Sequence, residues 1–154
     1  MLFHATPEKE FGTVIKLVTQ TLTELGYNPA TARIETEGDA EARWRIQKGS
    51  AVVFISVSRQ ETQNVLRLVA PIIHPDAVGS PDRLHRRLLE LNLSALYQCA
   101  FALDAQGDVV VTSDRICRAI DREEVKSLID VLALFADEYD DALIRDFGGH
   151  RWGE

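Results

Sequence analysis

The sequence predicts a single α+β domain in which helices cover an antiparallel sheet. Apolar residues recur every three or four positions at both ends of the chain, and the segments between alternate apolar with polar residues. The turns between those segments are short, and such turns join antiparallel neighbours, because parallel strands need a long crossover. The expected element order is α-β-β-β-(β)-α-β-β-α. Residues 1–148 are expected to form the domain, with residues 149–154 as a flexible tail.

The first helix is predicted to begin at Thr6-Pro7 and to end at Gly26. Threonine is a good N-cap, and proline suits the first helical position because its missing N–H would be unpaired there anyway. Glycine readily adopts the left-handed conformation that ends helices. The apolar residues between these signals share one face: Phe11, Val14, Ile15, Val18, Leu22 and Leu25.

A block of four strands is expected next. Its clearest member alternates Ala42, Trp44 and Ile46 with polar neighbours, a period of two. In the fourth strand, Pro71 indicates that the strand ends or lies at a sheet edge, because proline donates no hydrogen bond to a ladder. The expected ranges are 32–36, 42–47, 51–58 and 63–73, followed by a loop over 74–80.

The second half is predicted to be helix, hairpin and helix. The middle helix begins at Pro81 and places its leucines on one face, and the last helix runs from Asp121 to Gly148. Between them, a turn at residues 105–107 predicts a hairpin. Its favoured register pairs Phe101 with Val111 and Leu103 with Val109, which brings apolar residues onto one face.

Charge and apolar patterning exclude several classes of protein. The net charge of −7 argues against sequence-independent nucleic-acid binding. The longest apolar run, Val131–Ala136, is six residues, whereas a membrane-spanning helix needs about 20. The N-terminus shows no basic start followed by an apolar stretch, so no secretory signal is visible. We therefore expect a cytoplasmic protein that binds neither membrane nor nucleic acid.

No catalytic motif is present in the sequence. A glycine-rich phosphate loop, a GxSxG elbow and an HExxH helix are all missing, and the four histidines lack partners at metal-ligand spacing. An acidic cluster on the last helix could hold a cation, but a solvated helix face explains it better; its members are Asp137, Glu138, Asp140 and Asp141. We expect no enzyme, no metal and no cofactor. A hydrolase or thiol enzyme using Cys99 or His74 is the remaining, least favoured alternative.

The central strands predict one binding surface. The turn at residues 48–50 places Trp44 on the same face as Val53 and Ile55, which we assign to the core. The opposite face would mix apolar and arginine side chains, so it could hold an extended peptide by apolar contact while guanidinium groups orient carboxylates or carbonyls. The alternative is that the middle helix or a second copy covers it. The predicted contact residues are Arg43, Arg45, Val52, Phe54, Val65, Arg67 and Val69.

The stretch from Arg86 to Asp146 resembles the YbjN-like bacterial family. The residues that carry the resemblance are Leu88–Asn92, Phe101–Asp104, Gly107–Val111 and the long helix Glu123–Leu143. The resemblance implies the fold of type III secretion chaperones, an α-β-β-β-α-β-β-α arrangement with one strand fewer in the first block than the sequence predicts here. Those chaperones are small, acidic, cytoplasmic and commonly dimeric, and they bind extended segments of partner proteins. No site residue can be carried over from the family.

Together, these observations predict a non-enzymatic, cytoplasmic chaperone-like or adaptor protein that binds a polypeptide, as a homodimer. The alternative is a regulatory domain that senses a small ligand in a pocket beside the sheet. Stabilisation by a small molecule alone would favour that alternative, because a ligand that binds the native state raises its stability.

Overall fold

Seven strands and four helices make up residues 6–154, which a computed structural model describes. The α+β class is confirmed. The helices are α1 (Pro7–Glu24), α2 (Pro29–Ala32), α3 (Pro81–Ser94) and α4 (Arg122–Phe147). The strands are β1 (Arg33–Ile34), β2 (Glu41–Lys48), β3 (Ala51–Arg59), β4 (Asn64–Val78), β5 (Ala100–Leu103), β6 (Val109–Ile116) and β7 (Gly148–Arg151).

The strands form one antiparallel sheet in the order β1-β2-β3-β4-β6-β5, and β7 pairs with β4 outside this path. The turn between β2 and β3 is as expected, with Gly49 in the left-handed conformation at φ 61°. The predicted β5–β6 register is also confirmed, because Phe101 pairs with Val111 and Leu103 with Val109. In the turn of that hairpin, the Asp104 carboxylate accepts hydrogen bonds from two backbone N–H groups.

The two long helices begin where their capping residues predict. Thr6 Oγ1 accepts a hydrogen bond from the Lys9 N–H, with Pro7 at the first helical position. The Asp121 carboxylate accepts from the Glu124 N–H at 2.9 Å. These side chains satisfy N–H groups that have no partner within the helix. Neither these helices nor any other in residues 6–154 combines the length and apolar character needed to cross a membrane.

The core lies between one face of the sheet, here called the inner face, and the helices α1 and α4. The inner-face residues Trp44, Val53 and Ile55 are almost completely buried, as expected. They pack in one cluster with residues from the apolar stripes of α1 and α4, including Leu22 and Leu132. Because strand side chains alternate between faces, residues one position away lie on the opposite, outer face.

The expectation for β4 was wrong in two respects. It is a central strand rather than an edge strand, and it continues to Val78 through the segment expected to be a loop. Pro71 is tolerated because it lies at a bulge in the β4–β6 pairing, between the β3 pairing that reaches Val69 and the β7 pairing that begins at Ile73. A proline is accommodated where no ladder hydrogen bond is needed from its nitrogen.

The structure differs from the sequence prediction at two further places. Residues 29–32 form a short helix capped by the Asn28 side chain, so the expected first strand shrinks to two residues. The sequence block therefore contains three long strands, as the family resemblance implies. At the other end, Gly148–Arg151 pairs with β4 as β7, although residues 149–154 were expected to be a flexible tail. Main-chain pairing and ion pairs of Arg151 hold this segment.

Candidate functional site

The outer face of the sheet contains all seven residues proposed from the sequence. Arg45 pairs with Phe54, and Phe54 pairs with Val69, so an arginine and two apolar residues lie side by side across three strands. Such cross-strand neighbours are about 5 Å apart. Around this row lie the other four residues, Arg43, Val52, Val65 and Arg67.

The structure places no helix of residues 6–154 over this face. The four apolar members of the set are only partly buried and the three arginines are exposed, whereas the inner-face residues beside them are almost fully buried. The middle helix α3, which was a candidate cover, packs instead against β5 and α4. The outer face is therefore accessible in a single chain.

A depression of about 470 Å³ lies on the outer face. Arg43, Phe54, Arg67 and Val69 line it, while Arg45, Val52 and Val65 do not. The lining also includes residues that the sequence analysis did not assign to the site: Glu41, Ser56, Pro71, Asp104, Gln106, Asp108 and Trp152. The Asp104–Asp108 turn lines the depression because β6 pairs with β4. No local pattern in the sequence predicts that pairing.

The three arginines of the face differ in the partners they already have. The Arg67 guanidinium forms a two-point contact with the Asp114 carboxylate, at 2.7 Å and 2.6 Å. This contact raises the pKa of Arg67. Arg43 lies 3.7 Å from the Glu41 carboxylate, and Arg45 forms no ion pair with any residue in the described part of the chain. Of the three arginines, Arg45 is therefore the one whose guanidinium has no acidic partner within residues 6–154.

The aromatic residue Trp152 is the most informative addition to the site. Its ring meets the Phe54 ring edge-on, with centroids 5.9 Å apart and planes at 89°. Aromatic pairs favour this arrangement because a ring edge is electropositive and a ring face electronegative. The sequence did contain a signal for this residue, a tryptophan in an otherwise polar tail. Trp152 was not assigned to the site because that tail was expected to be flexible.

His74 lies beside the depression and contacts two carboxylates. Its Nδ1 is 2.5 Å from Asp108 Oδ1, and its Nε2 is 3.3 Å from Asp76 Oδ2. The hydrogen bond to Asp108 is the main reason that the pKa of His74 is raised above its ordinary value. Within residues 6–154, however, no cluster of three or more histidine, cysteine or acidic side chains has the arrangement of a metal site.

The acidic residues of α4 engage the protein's own groups. Asp137 accepts a hydrogen bond from the Ser50 hydroxyl, and Asp140 and Asp141 form ion pairs with Arg151. Asp137, Glu138 and Asp141 are exposed, as expected for a solvated helix face, whereas Asp140 is buried. Three carboxylates of the cluster also contact the β2–β3 turn or the C-terminal segment.

The two cysteines lie in surroundings that suppress ionisation. Burial raises the pKa of the Cys99 thiol to about 11 and is the largest cause that raises that of Cys117 to about 12. Because the thiolate is the nucleophilic form of cysteine, neither residue is activated for thiol chemistry.

A second exposed surface lies at the β5 edge of the sheet. Leu89 and Leu93 are four residues apart on α3 and are 70% and 91% exposed. Leu103 of β5 is 46% exposed and lines a shallow groove of about 240 Å³ with Leu89. Apolar residues so grouped on a surface are typical of contacts with another protein.

An antiparallel sheet with helices on one face and an open, mixed apolar and charged opposite face is the architecture of a small binding domain. Residues 13–154 match the family model described as "T3SS (YopN, CesT) and YbjN peptide-binding chaperone 1", and the chain belongs to this family of peptide-binding chaperones. The resemblance to YbjN-like proteins seen in the sequence is thereby confirmed.

Solved structures agree with this assignment at the level of the fold. A chain of the ExsC–ExsE complex is 16% identical, has a TM-score of 0.64, and aligns over 86% of this chain and 95% of its own length. A chain of the HopA1–SchA chaperone–effector complex is 13% identical, with a TM-score of 0.58 and coverage of 90% and 99%.

A chain of the Yersinia pestis type III secretion chaperone SycH in complex with a fragment of YscM2 is 21% identical, with a TM-score of 0.51 and coverage of 80% and 96%. The type III secretion chaperone fold is confirmed by these neighbours. A comparison with curated proteins finds no significant match.

Proposed function

We propose that this protein is a non-enzymatic, cytoplasmic chaperone or adaptor that holds an extended segment of a partner polypeptide against its outer sheet face. The observation that carries the proposal is the row of Arg45, Phe54 and Val69 across three adjacent strands, over which no helix of residues 6–154 packs. A partner segment lying on this row would bury apolar side chains on Phe54 and Val69. Its carbonyl or carboxylate groups would meet the guanidinium of Arg45, which forms no ion pair within residues 6–154.

The family and the fold support a polypeptide as the ligand. The matched family model is one of peptide-binding chaperones, and two of the similar structures are described as a chaperone–effector complex and as a secretion chaperone with a bound fragment. The un-ionised thiols of Cys99 and Cys117 support a non-enzymatic role, because they lack the thiolate that a cysteine nucleophile needs.

Crosslinking in native lysate tests the proposed face. We expect Phe54→Asp to lose the crosslinked proteins that the wild-type chain captures, because a carboxylate would interrupt the apolar row. Leu134→Asp is the matched control, since Leu134 is an exposed apolar residue on α4, in the helical layer behind the sheet. Arg45→Glu changes only an exposed charge and covers the case in which Phe54→Asp is unstable. If the wild type and all three variants capture the same proteins, the outer face is not the binding site.

We also propose that the protein is a homodimer whose interface includes the exposed leucines of α3 and β5. Three large apolar side chains, Leu89, Leu93 and Leu103, are exposed there in the single chain. Burying them against a second copy would remove apolar surface from water, which stabilises association by roughly 25 cal/mol per Å² before the entropic costs of binding are subtracted. Light scattering should then give twice the chain mass of 17.2 kDa.

A small-ligand sensor is the alternative that the outer-face depression allows. Its volume of about 470 Å³ falls within the range of small-molecule sites, roughly 300–1,000 Å³. Thermal-shift measurements with metabolites and with extended peptides separate the two functions. Stabilisation by a metabolite, with none by peptides, would favour the sensor.

A further inference from the structure

The C-terminal segment lies where the outer face meets the end of β3. Ile73 of β4 pairs with Val109 of β6 and with Arg151 of β7, so β7 and β6 lie on opposite edges of β4. β3 also pairs with β4 on the edge opposite β6, so β3 and β7 follow one another along the same edge of β4. The Trp152 N–H extends this pairing by donating to the Ile72 carbonyl at 3.0 Å. The segment therefore occupies backbone groups of β4 that would otherwise be free to pair with another strand.

Side chains of this segment reach both faces of the sheet. Arg151 points to the helical layer and contacts α4, whereas Trp152 lies on the outer face against Phe54. This is the alternation expected of successive strand residues. Trp152 also lines the outer-face depression together with Phe54, Val69 and Pro71. The chain's own tryptophan thus covers part of the apolar row to which we assign partner binding.

Arg151 supplies the counter-charge for a poorly solvated carboxylate. Asp140 lies within α4 with its side chain 9% exposed, and Arg151 Nη1 is 3.2 Å from Asp140 Oδ2. Burial raises the pKa of Asp140, while Arg151 acts in the opposite direction. Removing one partner of such a pair is unfavourable because it leaves a charge without compensation. Anything that replaces the C-terminal segment is favoured if it brings a positive charge to Asp140.

The connection between α4 and the segment depends on two glycines. Gly148 and Gly149 have φ angles of 84° and 93°, which side chains rarely adopt. A Cβ at Gly148 would lie 2.6 Å from the Ala77 carbonyl oxygen, and one at Gly149 would lie 2.8 Å from Ile73 Cγ2. Close contact with β4 thus requires glycine at both positions.

We infer that residues 148–154 are an internal competitor for the partner polypeptide, and that the partner segment that displaces them carries a basic residue followed directly by an aromatic one. The basic residue replaces Arg151 at Asp140, and the aromatic residue replaces Trp152 at Phe54. The acidic character of α4, with nine acidic and three basic residues over 121–146, favours the same kind of partner. This inference rests on the proposed function, because it assigns a competitor to the same face.

The first test measures binding of a synthetic peptide with the sequence of residues 148–154 to full-length variants. Gly148→Ala should release the segment, whereas Gly153→Ala is the matched control, because Gly153 also has a positive φ of 85° but no atom lies near its Cβ position. If the segment is seated 90–99% of the time, its release tightens peptide binding about 10- to 100-fold. We expect this gain in Gly148→Ala and none in Gly153→Ala. Peptides with arginine changed to glutamate, or tryptophan to alanine, should bind far more weakly.

Two further variants keep the test decisive. Arg151→Glu faces Asp140 and Asp141 with a like charge and should release the segment even if Gly148→Ala does not fold. His74→Cys with His150→Cys joins facing positions of β4 and β7, so its oxidised form should exclude the peptide and its reduced form should not. Hydrogen exchange at residues 148–152 verifies release. Equal peptide affinity in wild type and released variants, or no binding to a verified released variant, would overturn the inference.

Failure of this inference is distinguishable from failure of the proposed function. If Phe54→Asp loses the crosslinked partners while Gly148→Ala and Arg151→Glu capture the same amount as wild type, the outer face binds partners without competition from the segment. If Phe54→Asp captures the same partners as wild type, the proposed face itself is wrong, whatever the peptide does.

Discussion

The side-chain amide of Asn92 pairs with the backbone of Phe101 as a neighbouring strand would. Asn92 Oδ1 accepts a hydrogen bond from the Phe101 N–H at 2.7 Å, and Asn92 Nδ2 donates to the Phe101 carbonyl at 3.2 Å. Because β5 is the last strand of the sheet order, these groups would otherwise lie unpaired at an edge. The asparagine of the Leu88–Asn92 motif thus attaches α3 to the sheet and closes the edge at one residue.

Replacing Asn92 should destabilise the fold. Asn92→Leu removes both hydrogen bonds and leaves partly buried backbone groups without partners, which costs about 1–3 kcal/mol. Urea denaturation measures the change as a lower midpoint at unchanged slope. Ser94→Ala is the matched control, because the Ser94 hydroxyl bonds only to the Glu90 carbonyl on the exposed side of the same helix. Equal midpoints for Asn92→Leu and Ser94→Ala would contradict the role given to Asn92.

Stability should depend on the protonation of His74. Its pKa is raised in the folded state, chiefly by the hydrogen bond to Asp108, so protonation favours folding. The contribution is fully present below the ordinary pKa of 6.5 and is lost as pH rises through the higher folded-state pKa. We expect His74→Gln to be less stable than wild type below pH 6.5, and this difference to shrink as the pH rises through the folded-state pKa of His74.

Denaturant titrations across this pH range measure the His74 effect. Asp108→Asn serves as the partner variant, because it removes the carboxylate charge that favours protonated His74 and should lose the largest part of the pH-dependent increment, while Asp76 still contributes. A stability difference between wild type and His74→Gln that is constant with pH would show that the histidine contributes without titrating.

Both thiols should react slowly in the native protein. A pKa of about 11 at Cys99, against an ordinary value of 9.0, lowers the thiolate population near pH 8 roughly a hundredfold. We expect alkylation of Cys99 to be slower than in denaturant by about this factor, and that of Cys117 slower still. Mass spectrometry follows each site separately. Native alkylation of Cys99 at the denatured rate or faster would revive the thiol-enzyme hypothesis.

Association should be sensitive to Leu93. Since this side chain is 91% exposed in the single chain, Leu93→Asp removes little packing within the protomer. In a dimer that buries it, the same change places a carboxylate against apolar surface and should shift the equilibrium to monomer. Light scattering over a concentration series measures this shift. Ile116→Asp is the control, because Ile116 is also exposed but lies at the far end of β6. If both variants are monomeric, the dimer interface is not specific to α3.

Local patterns predicted most of the elements. The apolar stripes of α1 and α4, the capping residues Thr6 and Asp121 and the Phe101–Val111 register were all deduced correctly, because each depends on residues close together in sequence. The proline rule misled at β4. Pro71 does lie where its nitrogen needs no partner, but that place is a bulge inside a central strand, and only the positions of β3, β6 and β7 reveal it.

The composition of the candidate site was predictable in part for a similar reason. Alternation along β2, β3 and β4 determines which side chains share the outer face, so this periodicity alone suffices to group Arg45, Phe54 and Val69. Whether that face is covered depends on where helices pack, and Trp152 reaches it only because the chain folds back along β4.

The amino-acid sequence by itself determined the three long helices, the strand faces and the absence of a recognisable catalytic motif, since these follow from local periodicity and residue chemistry. Only the tertiary structure decided that no helix of residues 6–154 covers the outer face, that Asn92 closes the β5 edge, and that Arg151 and Trp152 occupy opposite faces beside β4. Those contacts join residues up to about a hundred positions apart, and their geometry is set by strand pairing rather than by neighbouring residues.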